Sequence, residues 1–357
     1  MKKQLLAGAF VLASFLTAQA QVLESENFNN LNVGDLGTDT TGQTPGQGNY
    51  YTLVLNDGDS SDFQVVANGK GGTNGLQITG ASVAQGTTQE TDNARYLWKN
   101  GLADAWAART SGNDIISAEF DLYASVTAGT ANVQRIELYN DTYSNILGGF
   151  VYYPATGELR GIATYTGSQG SGNYTFTLKD GGLILNADTW YRLAIVYAPS
   201  TGAVAWASND IIVQDDQGND VELFSGVTST NNVGLEPAEL DIIAFAGAAN
   251  TVAASVVYDN FSVKAIATPD EVLGVKENVS LANLSVYPNP ANDVVNVSVD
   301  ALVSNVAIVD LNGRTVKTVK FDGVSTATVN VSDLASGVYM ATITSDKGTT
   351  TKKIVKN

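Results

Sequence analysis

Apolar and polar residues alternate in short runs along most of this chain, which is the two-residue period of a half-buried strand. Such runs cover 115–126, 133–140, 150–153, 159–165, 174–178, 190–197, 204–207 and 255–263. Turn-forming clusters separate them, among them Asn56-Asp57-Gly58, Pro154-Ala155-Thr156-Gly157, Lys179-Asp180-Gly181-Gly182 and Pro199-Ser200-Thr201-Gly202. Helical spacing is brief, its best stretch being 101–109, and no unit recurs at a fixed period, which argues against a propeller or solenoid. The pattern predicts an all-β protein.

Two stretches break the alternation. At the start, Lys2 and Lys3 precede an apolar run from Leu5 to Leu16 that ends in Ala18-Gln19-Ala20. A basic start, an apolar run too short to span a bilayer and small residues at −3 and −1 predict a signal peptide over 1–20, cut between Ala20 and Gln21. No later stretch is long and apolar enough to span, so no transmembrane segment is expected. Near 266–282 the pattern lapses again around Pro269, Asp270 and Gly274, which predicts a linker between a domain at 21–265 and a smaller one at 283–357. Charge divides at the same place. Residues 21–270 hold 28 acidic and 9 basic side chains, whereas 271–357 hold 8 of each. Two modules of different electrostatic character imply two different tasks.

Composition narrows the chemistry. The 357 residues carry a net charge of −17, which repels a phosphate backbone and excludes nucleic acid as a partner. There is no Cys and no His, so disulfides, thiolate metal sites, Cys nucleophiles and imidazole bases are all absent.

In the last 75 or so residues, four motifs occur in order. They are Tyr287-Pro288-Asn289-Pro290 with Asn292-Asp293; Asp310-Leu311-Asn312-Gly313-Arg314, an Asn-Gly turn; Leu334-Ala335-Ser336-Gly337-Val338-Tyr339; and Lys352-Lys353-Ile354-Val355-Lys356. Short strands between them suit a compact sandwich of immunoglobulin-like proportions. This tail resembles the C-terminal sorting domain of type IX secretion cargo of the Bacteroidetes. The resemblance implies an outer-membrane translocon and its sorting peptidase as partners, and a location at the cell surface or outside the cell.

The larger module resembles the concanavalin A-like and laminin-G-like jelly rolls through Ala187-Asp188-Thr189-Trp190-Tyr191-Arg192, the following strands to Trp206, and Val257-Tyr258-Asp259-Asn260-Phe261-Ser262-Val263. The expected architecture is therefore a jelly-roll β-sandwich followed by a smaller immunoglobulin-like β-sandwich. That fold hosts lectins, glycosidases and inert spacers alike, so residues must decide function. Parity puts Glu119, Asp121 and Tyr123 on one strand face and Arg135, Glu137 and Tyr139 on another. If the two strands are neighbours, they make one polar face suited to a glycan. Tyr96 and Trp98, with Trp106, lie in a turn-rich segment and are further candidates for a loop-borne ligand site. Jelly-roll glucanases typically carry Glu-x-Asp-x-Glu or Glu-x-Asp-x-x-Glu on one strand, and Glu119-x-Asp121 is followed by Tyr123 and Ala124 instead. A non-catalytic glycan- or surface-ligand-binding module is the favoured reading. The alternatives are a glycoside hydrolase built on Glu119, Asp121 and Glu137, and a structural or adhesive surface protein. Lastly, parity places Asp259 among core residues, and Glu24 and Glu26 on a first strand expected beside it. These three carboxylates are candidate ligands for a structural calcium, with an acidic turn at 57–62 as a second candidate.

Overall fold

The computed structural model describes residues 20–56, 58–82, 93–215, 217–247, 250–269, 272, 284–309, 315–345 and 348–357. The expected signal peptide, apart from Ala20, and most of the expected linker lie outside the described residues, as do Gly313 and Arg314. The chain divides into two compact units, 1–273 and 274–357.

In the first unit the strands follow in chain order: β1 (Gln21–Glu26), β2 (Gly34–Asp35), β3 (Tyr50–Val54), β4 (Phe63–Val66), β5 (Gly75–Thr79), β6 (Ala94–Lys99), β7 (Ile115–Ala124), β8 (Asn132–Asn140), β9 (Ile146–Tyr153), β10 (Glu158–Gly167), β11 (Gly170–Thr177), β12 (Leu183–Ile184), β13 (Thr189–Ala198), β14 (Ala203–Gln214), β15 (Asp220–Thr228), β16 (Pro237–Ala246) and β17 (Ser255–Ile266). One helical turn pair, α1 (Leu102–Ala107), falls where helical spacing was strongest. Among the described residues the strands form two sheets. The first has the order β15-β14-β13-β7-β17-β5-β4-β2, with β1 also on β17. The second has the order β11-β10-β9-β8-β16-β6-β3, with β12 also on β10. Neighbours in space that are distant in sequence, such as β7 with β13 and β17, mark a jelly-roll sandwich rather than a meander of hairpins.

Alternation explains how the layers pack. Phe120 and Leu122 of β7, Leu193 and Ile195 of β13 and Trp206 of β14 meet Ile136 and Leu138 of β8, Phe150 of β9 and Ile242 of β16 in one core. Phe120 and Phe150 touch across the layers edge to face, with ring centroids 5.9 Å apart. Trp206 is fully buried, and its Nε1 donates to Gly149 O at 2.5 Å. Its ring fits because Gly161 has no side chain: a Cβ there would stand 2.4 Å from the indole.

One residue resets the parity of β17. Between the pairs Asp259↔Asp121 and Ser262↔Glu119, β17 takes three steps where β7 takes two, and Asn260 adopts φ 49°. This is a β-bulge, which inserts an unpaired residue and turns the following side chains over. Val256 and Tyr258 reach the core before the bulge, and Phe261, Val263 and Ala265 reach it afterwards. The expectation that Asp259 shares a face with Phe261 and Val263 is therefore corrected. Asp259 points away from the core, beside Asp121.

The second unit comprises β18 (Ser285–Tyr287), β19 (Val294–Val309), β20 (Thr315–Asn330), β21 (Gly337–Ser345) and β22 (Gly348–Lys356), in the order β18-β19-β21-β22 with β20 also on β19. β19 and β20 are long and bend where their register shifts between Ser298 and Asn305. The bend wraps both halves of one continuous sheet round a single core of Val295, Val297, Val306, Ile308, Val329, Ala341 and Ile354.

Candidate functional site

β7 lies in the first sheet and β8 in the second, so the residues expected to share one polar face are divided between two. On the first sheet, the face turned away from the core carries Glu119 and Asp121, both nearly fully buried. Glu119 Oε1 accepts from Lys264 Nζ at 2.9 Å and Ser117 Oγ at 3.3 Å, and its Oε2 accepts from Arg192 Nη2 at 3.2 Å. Asp121 Oδ1 accepts from Lys70 Nζ at 2.9 Å, and its Oδ2 from Asn260 Nδ2 at 2.7 Å. Both carboxylates are thus occupied by cations and amides on β13, β17 and the 69–73 loop. Tyr123 packs on Trp190, with centroids 5.2 Å apart, and its hydroxyl donates to Asp188.

Asp259 belongs to the same cluster. Its Oδ2 accepts from Lys70 N at 2.9 Å and Thr73 Oγ1 at 3.2 Å, and its Oδ1 from Asn260 N at 2.7 Å. Burial raises this carboxyl's pKa, and those hydrogen bonds oppose the rise. Glu24 and Glu26 do lie on β1 next to β17, but they pair with Val263 and Phe261, on the core side of the sheet. Glu24 sits in a small recess with Lys99 and Tyr50, where burial pushes its carboxyl up, and Glu26 Oε1 accepts from Asn27 N and Phe28 N. The three expected calcium ligands therefore face opposite sides of the first sheet. Among the described residues no group of three acidic side chains is placed to hold a metal. In the acidic turn, Asp59 caps Ser60–Asp62 and Asp62 pairs with Arg95 at 2.6 Å; Asp57 lies outside the described residues.

The outer face of the second sheet is different in kind. Arg135, Glu137 and Tyr139 from β8 lie beside Ile243, Asp241 and Glu239 of β16 in register. Beyond β16, Tyr96 and Trp98 stand on β6, with Leu53 and Tyr51 of β3 paired to them. Tyr96 and Trp98 are thus strand residues, not loop residues, whereas Trp106 is buried in α1, where its Nε1 donates to Glu236. Tyr51 and Trp98 stack with centroids 5.6 Å apart and planes 13° from parallel. The floor between them and β10 is apolar, formed by Ile243, Val151 and Ile162.

Three carboxyls meet on this floor. Tyr139 Oη donates to Glu137 Oε2 at 2.5 Å, while Glu137 Oε1 lies 3.7 Å from Arg135 Nη1 and has no hydrogen-bond partner. Across the ladder, Asp241 stands opposite Glu137, and Glu239 reaches Asp241 on the same strand. Like charges directly opposite on a sheet repel, which favours the neutral form of a carboxyl. Burial first, and the Glu239 carboxylate next, push Asp241 well above the usual carboxylate range; burial likewise raises Glu137 and Glu239. Asp241 Oδ1, like Glu137 Oε1, has no hydrogen-bond partner. Glu239 and Asp241 repeat the Glu-x-Asp spacing of β7, alternating with Leu240, which packs against the core, and Ile242, which is part of it. That signal was available in the sequence and singled out neither residue.

Comparison with known proteins bears mainly on the second unit. Residues 285–357 match the family described as the secretion system C-terminal sorting domain. The chain carries that domain and is a type IX secretion cargo, exported to the cell surface or the extracellular space. Among the described residues no helix is long and apolar enough to cross a membrane. No curated protein matches by sequence. Among solved structures, the chain is similar to an endo-1,3-beta-glucanase from Streptomyces sioyaensis at 10% identity, covering 72% of this chain and 100% of that one with a TM-score of 0.41. It is similar also to an alginate lyase of polysaccharide lyase family 7, at 12% identity over 61% and 95% with a TM-score of 0.39. A third is the CBM2 module of an evolved Dit protein from Lactobacillus casei BL23 phage J-1, at 9% identity over 70% and 97% with a TM-score of 0.39.

The two faces predict opposite responses to losing a carboxylate. Folded Asp241 keeps a proton at pH values where the unfolded residue has lost it, so its contribution to stability is complete below the unfolded pKa and falls as pH rises toward the folded one. Asp241→Asn should therefore stabilise the protein at pH 7 by roughly 0.5–2 kcal/mol, with the gain vanishing near pH 4. Asp121→Asn should destabilise by roughly 1–3 kcal/mol at pH 7, less than for a wholly buried pair because Lys70 is 39% exposed. Thermal melts of both variants across that pH range check the contrast.

Proposed function

We propose that the first unit binds a glycan, without catalysis, on the outer face of its second sheet. The observation that carries this reading is the flat Tyr51–Trp98 stack on the same row of the sheet as the Glu137 and Asp241 carboxyls. A protonated carboxyl both donates and accepts, which suits hydroxyls better than a carboxylate alone. Aromatic faces pack against the C–H faces of sugar rings, and the open sheet offers a long strip rather than a closed pocket.

Glycoside hydrolysis is the second reading, favoured by one observation: a protonated carboxyl next to further carboxyls is what a general acid with a neighbouring base requires. Turnover on soluble glycans that disappears in Glu137→Gln would establish that reading in place of the first. For binding alone, a glycan array with the full chain should give ligands whose affinity drops more than about tenfold in Trp98→Ala, a central aromatic anchor. Tyr123→Phe, on the other sheet, should bind them as the native protein does. Equal binding by Trp98→Ala would refute the proposed face.

We infer also that residues 1–20 are a signal peptide. The sequence pattern supports it, as does the start of β1 at Gln21, whose Oε1 accepts from Thr110 N at 2.6 Å. Mass spectrometry of the exported protein should find Gln21 at its amino terminus, and an intact Met1 would contradict this.

A further inference from the structure

One carboxylate of the first sheet touches an amine and a carboxamide at once. Asp121 Oδ1 accepts from Lys70 Nζ at 2.9 Å, and Asp121 Oδ2 accepts from Asn260 Nδ2 at 2.7 Å. A second carboxylate joins the same two residues through their backbones, although they are far apart in sequence. Asp259 Oδ2 accepts from Lys70 N at 2.9 Å, and Asp259 Oδ1 accepts from Asn260 N at 2.7 Å.

The surroundings hold this arrangement in place. Gly69 lets the loop reach the strand, since a Cβ there would stand 2.7 Å from Asp259 Oδ2. Thr73 Oγ1 lies 2.8 Å from Lys70 O and 3.2 Å from Asp259 Oδ2. On the strand side, the φ of 49° at Asn260 turns its carboxamide toward Asp121, and Arg192 Nη1 donates to Asn260 O at 2.5 Å. An ion pair between Lys70 and Asp121 requires neither the carboxamide nor the backbone clamp. An amine and a carboxamide held on one carboxylate are, however, what amide exchange requires, because proximity replaces a bimolecular encounter by a unimolecular step.

We propose that Lys70 and Asn260 condense into an intramolecular isopeptide bond, with Asp121 as the catalytic residue that moves the protons. Asp121 takes a proton from the Lys70 ammonium, and the freed Nζ lone pair attacks Asn260 Cγ. Asp121 then passes the proton to Nδ2 as the Cγ–Nδ2 bond breaks. A second proton leaves the new amide nitrogen by the same route and ends on the departing ammonia. The products are a secondary amide and one ammonium ion, and Asp121 is again a carboxylate, so no oxidant or co-reactant is consumed. The side chain of Asp121 is 4% exposed, which keeps water from the reacting groups, while that of Lys70 is 39% exposed and leaves ammonia a way out. The bond ties the 69–73 loop to β17, in the middle of the first sheet, in a chain with no cysteine from which to make a disulfide.

Peptide mapping of the purified full chain tests this. A proteolytic digest should contain a branched peptide joining the segments around Lys70 and Asn260, lighter than the two unlinked peptides together by one ammonia. The branched peptide, not the intact mass, is the readout, because an amino-terminal Gln21 that cyclises also loses ammonia. Lys70→Arg keeps a positive charge beside Asp121 but removes the nucleophile, so it should give no branched peptide and melt at a lower temperature than the native chain. Asn260→Gly, which accepts the left-handed φ, should give none either. Asp121→Asn and Asp121→Ser, with folding verified by circular dichroism, should each lose at least about tenfold in the linked fraction. Native chains in which Lys70 and Asn260 are both recovered unlinked would overturn the proposal. A branched peptide lighter by water would place the bond on a carboxyl and overturn Asn260 as the partner, and undiminished linkage in a folded Asp121 variant would overturn the catalytic role.

Discussion

A carboxylate enclosed by protein must find a countercharge or keep a proton, and the first unit uses both solutions on opposite sides of one sandwich. On the first sheet Glu119 and Asp121 are enclosed by Lys264, Arg192 and Lys70, with Asn260 completing the set. On the second, among the described residues Glu137, Asp241 and Glu239 have Arg135 as their nearby cation, and burial raises the pKa of each carboxyl. The segment from Arg192 to Lys264 contains no basic residue between those two, so β16 brings acid without cations to pair with it. The first face is closed by its own ion pairs. The second retains two buried carboxyl oxygens, Glu137 Oε1 and Asp241 Oδ1, with no hydrogen-bond partner among the described residues.

Strand alternation controls which carboxylate meets which fate. The bulge at Asn260 is the point where that control is exercised, because one extra residue in β17 sends Phe261 and Val263 inward and leaves Asp259 and Asp121 side by side. The left-handed φ at Asn260 is a conformation that Asn tolerates better than most residues. The same bulge aims Asn260 Nδ2 at Asp121 and presents its carbonyl oxygen to Arg192 Nη1 at 2.5 Å. A local backbone irregularity thereby completes the charge network of the first sheet.

Much of this was legible in the sequence. Alternation located β7, β8, β10, β13 and β17, and four ordered motifs identified the tail. Of the proposed ligand face, Arg135, Glu137, Tyr139, Tyr96 and Trp98 fall together on the second sheet, whereas Glu119, Asp121 and Tyr123 fall on the first. Sheet membership was the missing information: parity tells which side of a strand a residue takes, not which strand lies alongside. That is why β7 and β8, consecutive in sequence, were expected as neighbours although the jelly-roll path places them in different layers. The calcium ligands failed to converge for a related reason, since a one-residue bulge is invisible to a strict two-residue period. Asp241 and Glu239 were overlooked although their pattern equals that of β7.

The account rests on raised carboxyl pKa values in the second sheet, Asp241 above all, and a carboxyl-carbon NMR titration of the native protein examines them directly. It predicts a resonance that titrates above the ordinary range of aspartate and disappears in Asp241→Asn. If every aspartate and glutamate instead titrates within the ordinary range, these carboxyls are charged and solvated at neutral pH, and the distinction between the two faces does not hold.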